Sequence, residues 1–170
     1  MLNREAIRAA RILIVDDQPA NIALLERVLQ QGGYANICRT TDPRKALELF
    51  GIYEPDLILM DLAMPHVDGL SLMKQLRSRI PNGHYLPILV LTADGTASAK
   101  RQALSLGARD FLEKPFDVQE AILRVNNLVE TRWLHVQLQE RIKMLEAPSP
   151  GNGSPSEEPS SAARAQAAGS

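Results

Sequence analysis

Apolar residues along this chain come in short continuous runs rather than in strict alternation. "RILIV" (Arg11–Val15), "ANICRT" (Ala35–Thr40), "DLILM" (Asp56–Met60), "PILVL" (Pro87–Leu91) and "RDFL" (Arg109–Leu112) are the clearest. Between them lie segments with helical spacing, such as "NIALLERVLQQGG", closed by glycines, and "DPRKALELF", opened by an aspartate. Strands apolar on both faces, alternating with helices, predict a parallel sheet covered on both sides. The expected fold is a doubly wound α/β domain over residues 11–131, built from five strand–helix units. No internal repeat of fixed period interrupts it.

The ends of the chain read differently. The last helix is predicted from about Asp117 to Glu146, and ~30 residues at 1.5 Å each would reach roughly 45 Å, more than a small sheet needs. Its second half, residues 132–146, keeps an apolar stripe of Leu134, Leu138, Ile142 and Leu145, with Trp133 beside it. Residues 147–170, "APSPGNGSPSEEPSSAARAQAAGS", hold almost no large apolar side chains and are expected to be a disordered tail. Residues 1–10 are expected to form an N-terminal extension, which carries charges and lacks an apolar signal region.

In sheets of this kind ligands bind beyond the carboxyl ends of the strands. The polar residues there are Asp16 and Asp17 after the first strand, Thr40 and Thr41 after the second, and Asp61 after the third. Thr92 ends the fourth strand and Lys114 follows the fifth. All but the threonines of the second strand can converge on one edge. Two carboxylates 4 Å apart repel by about 4 kcal/mol at an effective dielectric of 20, so three pairs approach ~12 kcal/mol. That rivals a domain's whole stability. Such a cluster protonates, splays apart or holds a cation. Hard oxygen donors without a nearby His or Cys favour Mg²⁺, and three carboxylates with one lysine sum to −2, which one divalent ion cancels. A cation, an ammonium and a hydroxyl around a nucleophilic carboxylate are the parts of a phosphoryl-transfer site. Asp61, at the end of the central strand, is the best-placed attacker.

Taken together, "ILIVDD", "PDLILMDLAMPHVDG", "PILVLTAD" and "DFLEKPF" resemble the four signature segments of the bacterial two-component response regulator receiver domain, in order and in spacing. The resemblance covers roughly Arg11 to Glu130. It implies a five-stranded parallel sheet with five helices, the flavodoxin-like receiver fold, here with an extended C-terminal helix. It implies that Asp61 accepts a phosphoryl group from the phosphohistidine of a histidine kinase. Asp17 and Asp61 would ligate Mg²⁺, with Asp16 acting through water and the backbone carbonyl of Ala63 as a further ligand. Thr92 and Lys114 would bind the phosphoryl oxygens, and Phe111, three residues before the lysine, would act with Thr92 as a conformational switch. The Lys114–Pro115 bond resembles one that is cis in the family. Ala63 and Asp94 stand where the family tunes dephosphorylation, and the small Ala93 should leave the phosphoryl group accessible.

Plainer readings compete at several positions. Asp16 and Asp17 could cap the helix near Pro19, Asp61 could be a structural ion pair with Lys114, and Thr92 an ordinary strand-end hydroxyl. Three acids against one lysine leave charge unbalanced, which argues against the first two. Asp68-Gly69 reads as turn and helix-start chemistry, with Gly permitting positive φ. His66, His84 and His135 lack ligand spacing and read as surface residues, and Cys38 as a buried strand residue. A flavin carrier would need a hydroxyl- and glycine-rich loop where "DDQPAN" stands. A cobalamin-binding domain would need an Asp where Met64 stands, and an aspartyl phosphatase a second acid two residues from the nucleophile.

Composition narrows the output. Of 170 residues 45% are apolar and 4% aromatic, with net charge −1, so no basic surplus points to nucleic acid or to an anionic membrane. One cysteine excludes an internal disulfide and suits the cytoplasm. From Gln119 to Glu146 four basic residues face four glutamates, so the last helix is no DNA-binding stripe. The expectation is a phosphoacceptor without a separate catalytic domain, acting through protein contacts. Its partners would be a sensor histidine kinase or phosphotransfer protein, an unidentified downstream protein, and a second copy bound through the last helix. The alternatives are a phosphate sink or adaptor that has lost its output domain, or a binding module without phosphotransfer.

Overall fold

A computed structural model of the chain describes residues 3–147. In chain order the elements are α1 (Arg4–Arg8), β1 (Ile12–Val15), α2 (Pro19–Gln31), β2 (Ile37–Thr40), α3 (Ala46–Tyr53) and β3 (Leu57–Asp61). There follow β4 (Ala63–Met64), β5 (Val67–Asp68), α4 (Gly69–Arg79), β6 (Ile88–Thr92), α5 (Ala97–Ser105), β7 (Asp110–Glu113) and α6 (Val118–Glu146). Five strands form one parallel sheet in the order β2-β1-β3-β6-β7. The chain leaves β1 first to one side and then to the other, so the crevice for a ligand opens at the carboxyl ends of β1 and β3.

Alternation along the strands divides the core in two. Ile12, Ile14, Leu57, Leu59, Leu89, Leu91 and Leu112 face α2 and α6, where Leu25, Leu29, Val125 and Val129 meet them. Leu13, Val15, Ile58, Met60, Ile88 and Val90 face the other way, onto Leu72, Met73 and Leu76 of α4 and Ala103 of α5. β1, β3 and β6 are buried along their whole length, which explains why they read as continuous apolar runs. Each fully buried aliphatic side chain contributes about 1.5–3 kcal/mol.

The expected long final helix is present, with Asp117 accepting the Glu120 N–H as its N-cap. Its first half buries Ala121, Val125, Leu128 and Val129, while Leu134, Leu138, Ile142 and Leu145 are exposed. The helix overshoots the amino edge of the sheet and rests there on the loop before β6. Arg132 Nη1 donates to the Tyr85 carbonyl at 2.9 Å, Gln139 Nε2 to that of Gly83 at 2.7 Å, and the His135 ring stacks on Tyr85 at 4.6 Å. His135 is therefore exposed yet engaged. The N-terminal extension holds α1, capped by Asn3, which lies against α6 with Ile7 packed on the core. The expected disordered tail lies outside the described residues except for Ala147, which ends α6.

A small hairpin follows β3. β4 and β5 pair antiparallel, Ala63 with Asp68 and Met64 with Val67, around His66 at φ 67°. Asp68 then caps α4 by accepting the Leu70 N–H. Gly69 does not serve through positive φ, as its turn-like context suggests. A Cβ there would lie 2.6 Å from the Leu62 carbonyl oxygen and 2.7 Å from its Cα, so the residue lacks a side chain because the backbone passes too close. Cys38 sits on β2 half-buried rather than buried.

Candidate functional site

Register explains which side chains meet at the carboxyl edge. Continuing the alternation past the strand ends sends Asp16, Asp61 and Lys114 toward the α2/α6 side, the side of Ile14, Leu59 and Leu112. Asp16 is fully buried and Asp61 is 3% exposed. From beyond β7, the Lys114 ammonium crosses β6 and bridges the two, reaching Asp61 Oδ2 at 2.8 Å and Asp16 Oδ2 at 3.2 Å. The Ala63 N–H donates to Asp61 Oδ1 at 2.9 Å. Asp16 Oδ1 accepts from the Gln18 N–H at 2.9 Å and from Asn21 Nδ2 at 3.1 Å. Burial alone would lower the Lys114 pKa, but the hydrogen bond and charge of Asp61, and then the charge of Asp16, outweigh it and raise it above the ordinary lysine value.

Asp17 is the unsatisfied member. Its Oδ1 is buried with no hydrogen-bond partner among the described residues, and one oxygen from each of Asp16, Asp17 and Asp61 lies within 4.8 Å of the others. The helix-cap reading fails here, because the N-cap residue of α2 is Gln18, with no side-chain cap bond among the described residues. The ion-pair reading describes Lys114 with Asp16 and Asp61 but leaves Asp17 and a net −2 unexplained. An orphaned carboxylate oxygen in an all-oxygen cluster fits a hard divalent cation.

Thr92 and Phe111 fall on the opposite side of the pleat, the side of Val90. The Thr92 hydroxyl donates to the Asp94 carbonyl at 3.2 Å and accepts the Asp94 N–H at 3.0 Å, so it is turned to its own loop. Phe111 is half-buried, with the Lys100 ammonium 4.6 Å and the Arg124 guanidinium 5.9 Å from its ring centre. Lys100 also pairs with Glu113 at 3.1 Å, and Arg124 with Asp110 at 2.7 Å. Lys100 and Arg124 are neighbours that no sequence spacing singles out, since they reach Glu113 and Asp110 across the fold, whereas Asn21 lies in the first turn of α2, five residues from Asp16. The Lys114–Pro115 bond is cis, and Ala93 is exposed. His66 and His84 are exposed like His135; neither joins the close group of Asp16, Asp17 and Asp61, although His66 lines a cleft with Asp17.

The family model of the response regulator receiver domain matches residues 12–126. The chain belongs to that family. Its receiver domain is 42% identical over 119 residues to response regulator MprA of Mycolicibacterium vanbaalenii, covering 70% of this chain and 50% of that protein. It is 41% identical to the DNA-binding dual master transcriptional regulator RpaA of Synechocystis, covering 70% of this chain and 48% of that one. The chain thus spans about half the length of these curated relatives. Among solved structures it resembles the receiver domain of sensor histidine kinase PA1611 from Pseudomonas aeruginosa, with a magnesium ion coordinated in its active site cleft. That match has 30% identity and a TM-score of 0.63, and covers 71% of this chain and 98% of that one. This is a two-component signalling receiver domain, and it carries the kind of acidic cluster at which receiver domains bind Mg²⁺.

Proposed function

We propose that Asp61 is the phosphoacceptor of this receiver domain, taking its phosphoryl group from the phosphohistidine of a sensor histidine kinase or phosphotransfer protein. The observation that carries this is the Lys114 ammonium shared by Asp61 and Asp16 beside the unpartnered Asp17 oxygen. An Asp61 oxygen attacks phosphorus, the P–O bond forms as the P–N bond breaks, and the imidazole leaves with a proton from solvent. The Ala63 N–H holds the carboxylate in position. Lys114 moves from Asp61 to the arriving phosphoryl oxygens, already desolvated and aligned. Thr92 exchanges its bond to the Asp94 carbonyl for a phosphoryl oxygen, and that movement is passed to Phe111 on the same face. Asp16, Asp17, Asp61 and the Ala63 carbonyl would hold Mg²⁺, which when bound offsets the negative charge and offers positions to phosphoryl oxygens. The acyl phosphate is later lost to water, so the domain acts on itself rather than on a separate substrate, in the cytoplasm where such kinases draw on ATP. Acetyl phosphate with Mg²⁺ should add one hydroxylamine-labile phosphoryl group to the wild type and none to Asp61→Asn. A gain that survives in the variant would assign the acceptor elsewhere.

Output follows from α6. Its balanced charges suit protein contacts rather than nucleic acid, and Leu138, Ile142 and Leu145 lie four and three residues apart, the spacing of a coiled-coil seam. A second copy of the chain is the partner that matches this seam. Sedimentation should show the full chain at twice its monomer mass and a form ending at Arg132 at its monomer mass, and two monomers would end the idea.

A further inference from the structure

The amino edge of the sheet, opposite the carboxylates, has the reverse charge. Arg11 ahead of β1, Arg79 at the end of α4 and Arg132 of α6 line one cleft of about 400 Å³, with exposed His84 also lining it. Its lining holds one acid, Glu54, so with His84 neutral the three arginines less one glutamate leave +2, which Asp56, outside the lining but paired with Arg11 and Arg132, brings to +1. Phe50 and Leu86 supply an apolar wall. Small-molecule sites commonly measure about 300–1,000 Å³ and combine such walls with a few convergent polar groups.

The guanidiniums are held in place without being saturated. Arg11 stands 3.8 Å from Glu54 and 3.9 Å from Asp56, and Arg132 Nε stands 3.5 Å from Asp56. Arg132 Nε is buried and Nη1 donates to the Tyr85 carbonyl at 2.9 Å, which leaves Nη2 without a hydrogen bond among the described residues. Arg79 has no carboxylate within 4.0 Å among the described residues, and its Nη1 donates only to the Leu47 carbonyl at 3.3 Å. The Arg124–Asp110 pair, at 2.7 Å, shows what a saturated guanidinium looks like in this fold. Open guanidinium forks select carboxylate or phosphate. A phosphate monoester carries about −1.5 to −2 charge near neutral pH, of the sign that the arginines of the lining offset.

We infer that this cleft binds a small organic phosphate, its phosphoryl group between Arg11, Arg79 and Arg132 and its body against Phe50 and Leu86. Such a ligand reaches the domain at the end of β3 remote from Asp61 and gives it an input independent of phosphorylation.

The test is a titration of the full chain without Mg²⁺, using adenosine 5′-monophosphate, adenosine and inorganic phosphate, followed by amide resonances. The nucleotide should shift the amides of Phe50, Gly51 and His84 and bind at least about tenfold more tightly than either fragment. Arg79→Gln and, separately, Arg11→Gln should each weaken it by about tenfold, the loss expected for one charge-assisted bond. Both should still accept phosphate from acetyl phosphate as the wild type does. Absence of these shifts at millimolar nucleotide, equal binding of either fragment, or indifference to both substitutions would overturn the assignment.

Discussion

Asp56 and Asp61 bracket β3, and their surroundings differ in sign. Asp61 shares its edge with Asp16 and Asp17 against the single ammonium of Lys114, three negative charges and one positive. Asp56 stands at the other edge between Arg11 and Arg132, and also accepts the Arg11 backbone N–H at 3.0 Å. Both side chains are largely withdrawn from water, 26% exposed for Asp56 and 4% for Asp61, so burial does not separate their roles. Charge balance does. An acid with more cations than acids around it is satisfied by its own chain, whereas one crowded by other acids is completed from outside. The same strand thus joins an edge that seeks a cation to one with cationic donors to spare.

The largest effect on that contrast should come from Asp56→Ala. The change strips the acceptor from a part-buried backbone N–H and removes the counter-charge of a mostly buried guanidinium, Arg132. A cost of about 2 kcal/mol in urea unfolding is expected, with phosphoryl acceptance from acetyl phosphate retained. A variant as stable as wild type would show that the arginines do not depend on Asp56, and one that lost phosphoryl acceptance would put a functional acid at the wrong edge.

What the sequence disclosed followed the same physics. Buried parallel strands are continuous apolar runs, and strand-end acids fall at one edge whatever the loops do, so the sheet, the edge and Asp16, Asp17, Asp61 and Lys114 were all legible. The side of the pleat that Thr92 and Phe111 take depends on register with neighbouring strands, and Thr92's choice of Asp94 is made by a local turn. Gly69 looked like a turn glycine because its proximity to Leu62 arises only once β3 and α4 are packed. The arginine cleft had no linear signature at all, since Arg11, Arg79 and Arg132 come from distant segments.

A smaller effect sharpens the other side of the contrast. Asp17→Asn keeps the shape of the side chain and removes one of three mutually repelling charges, so without divalent ion it should be more stable than wild type by about 1 kcal/mol. With Mg²⁺ the order should reverse in response. At ten times its dissociation constant the ion should stabilise wild type by about 1.4 kcal/mol, and at the same concentration stabilise the variant much less, because the buried Oδ1 now belongs to a neutral amide. Thermal unfolding of both proteins with and without Mg²⁺ measures all four states. The reversal matters more than either value, since a structural polar group would lose stability on substitution and leave the response to the ion unchanged. If Asp17→Asn is destabilised alone yet gains as much from Mg²⁺ as wild type, Asp17 is a partner of the fold and not of the cation.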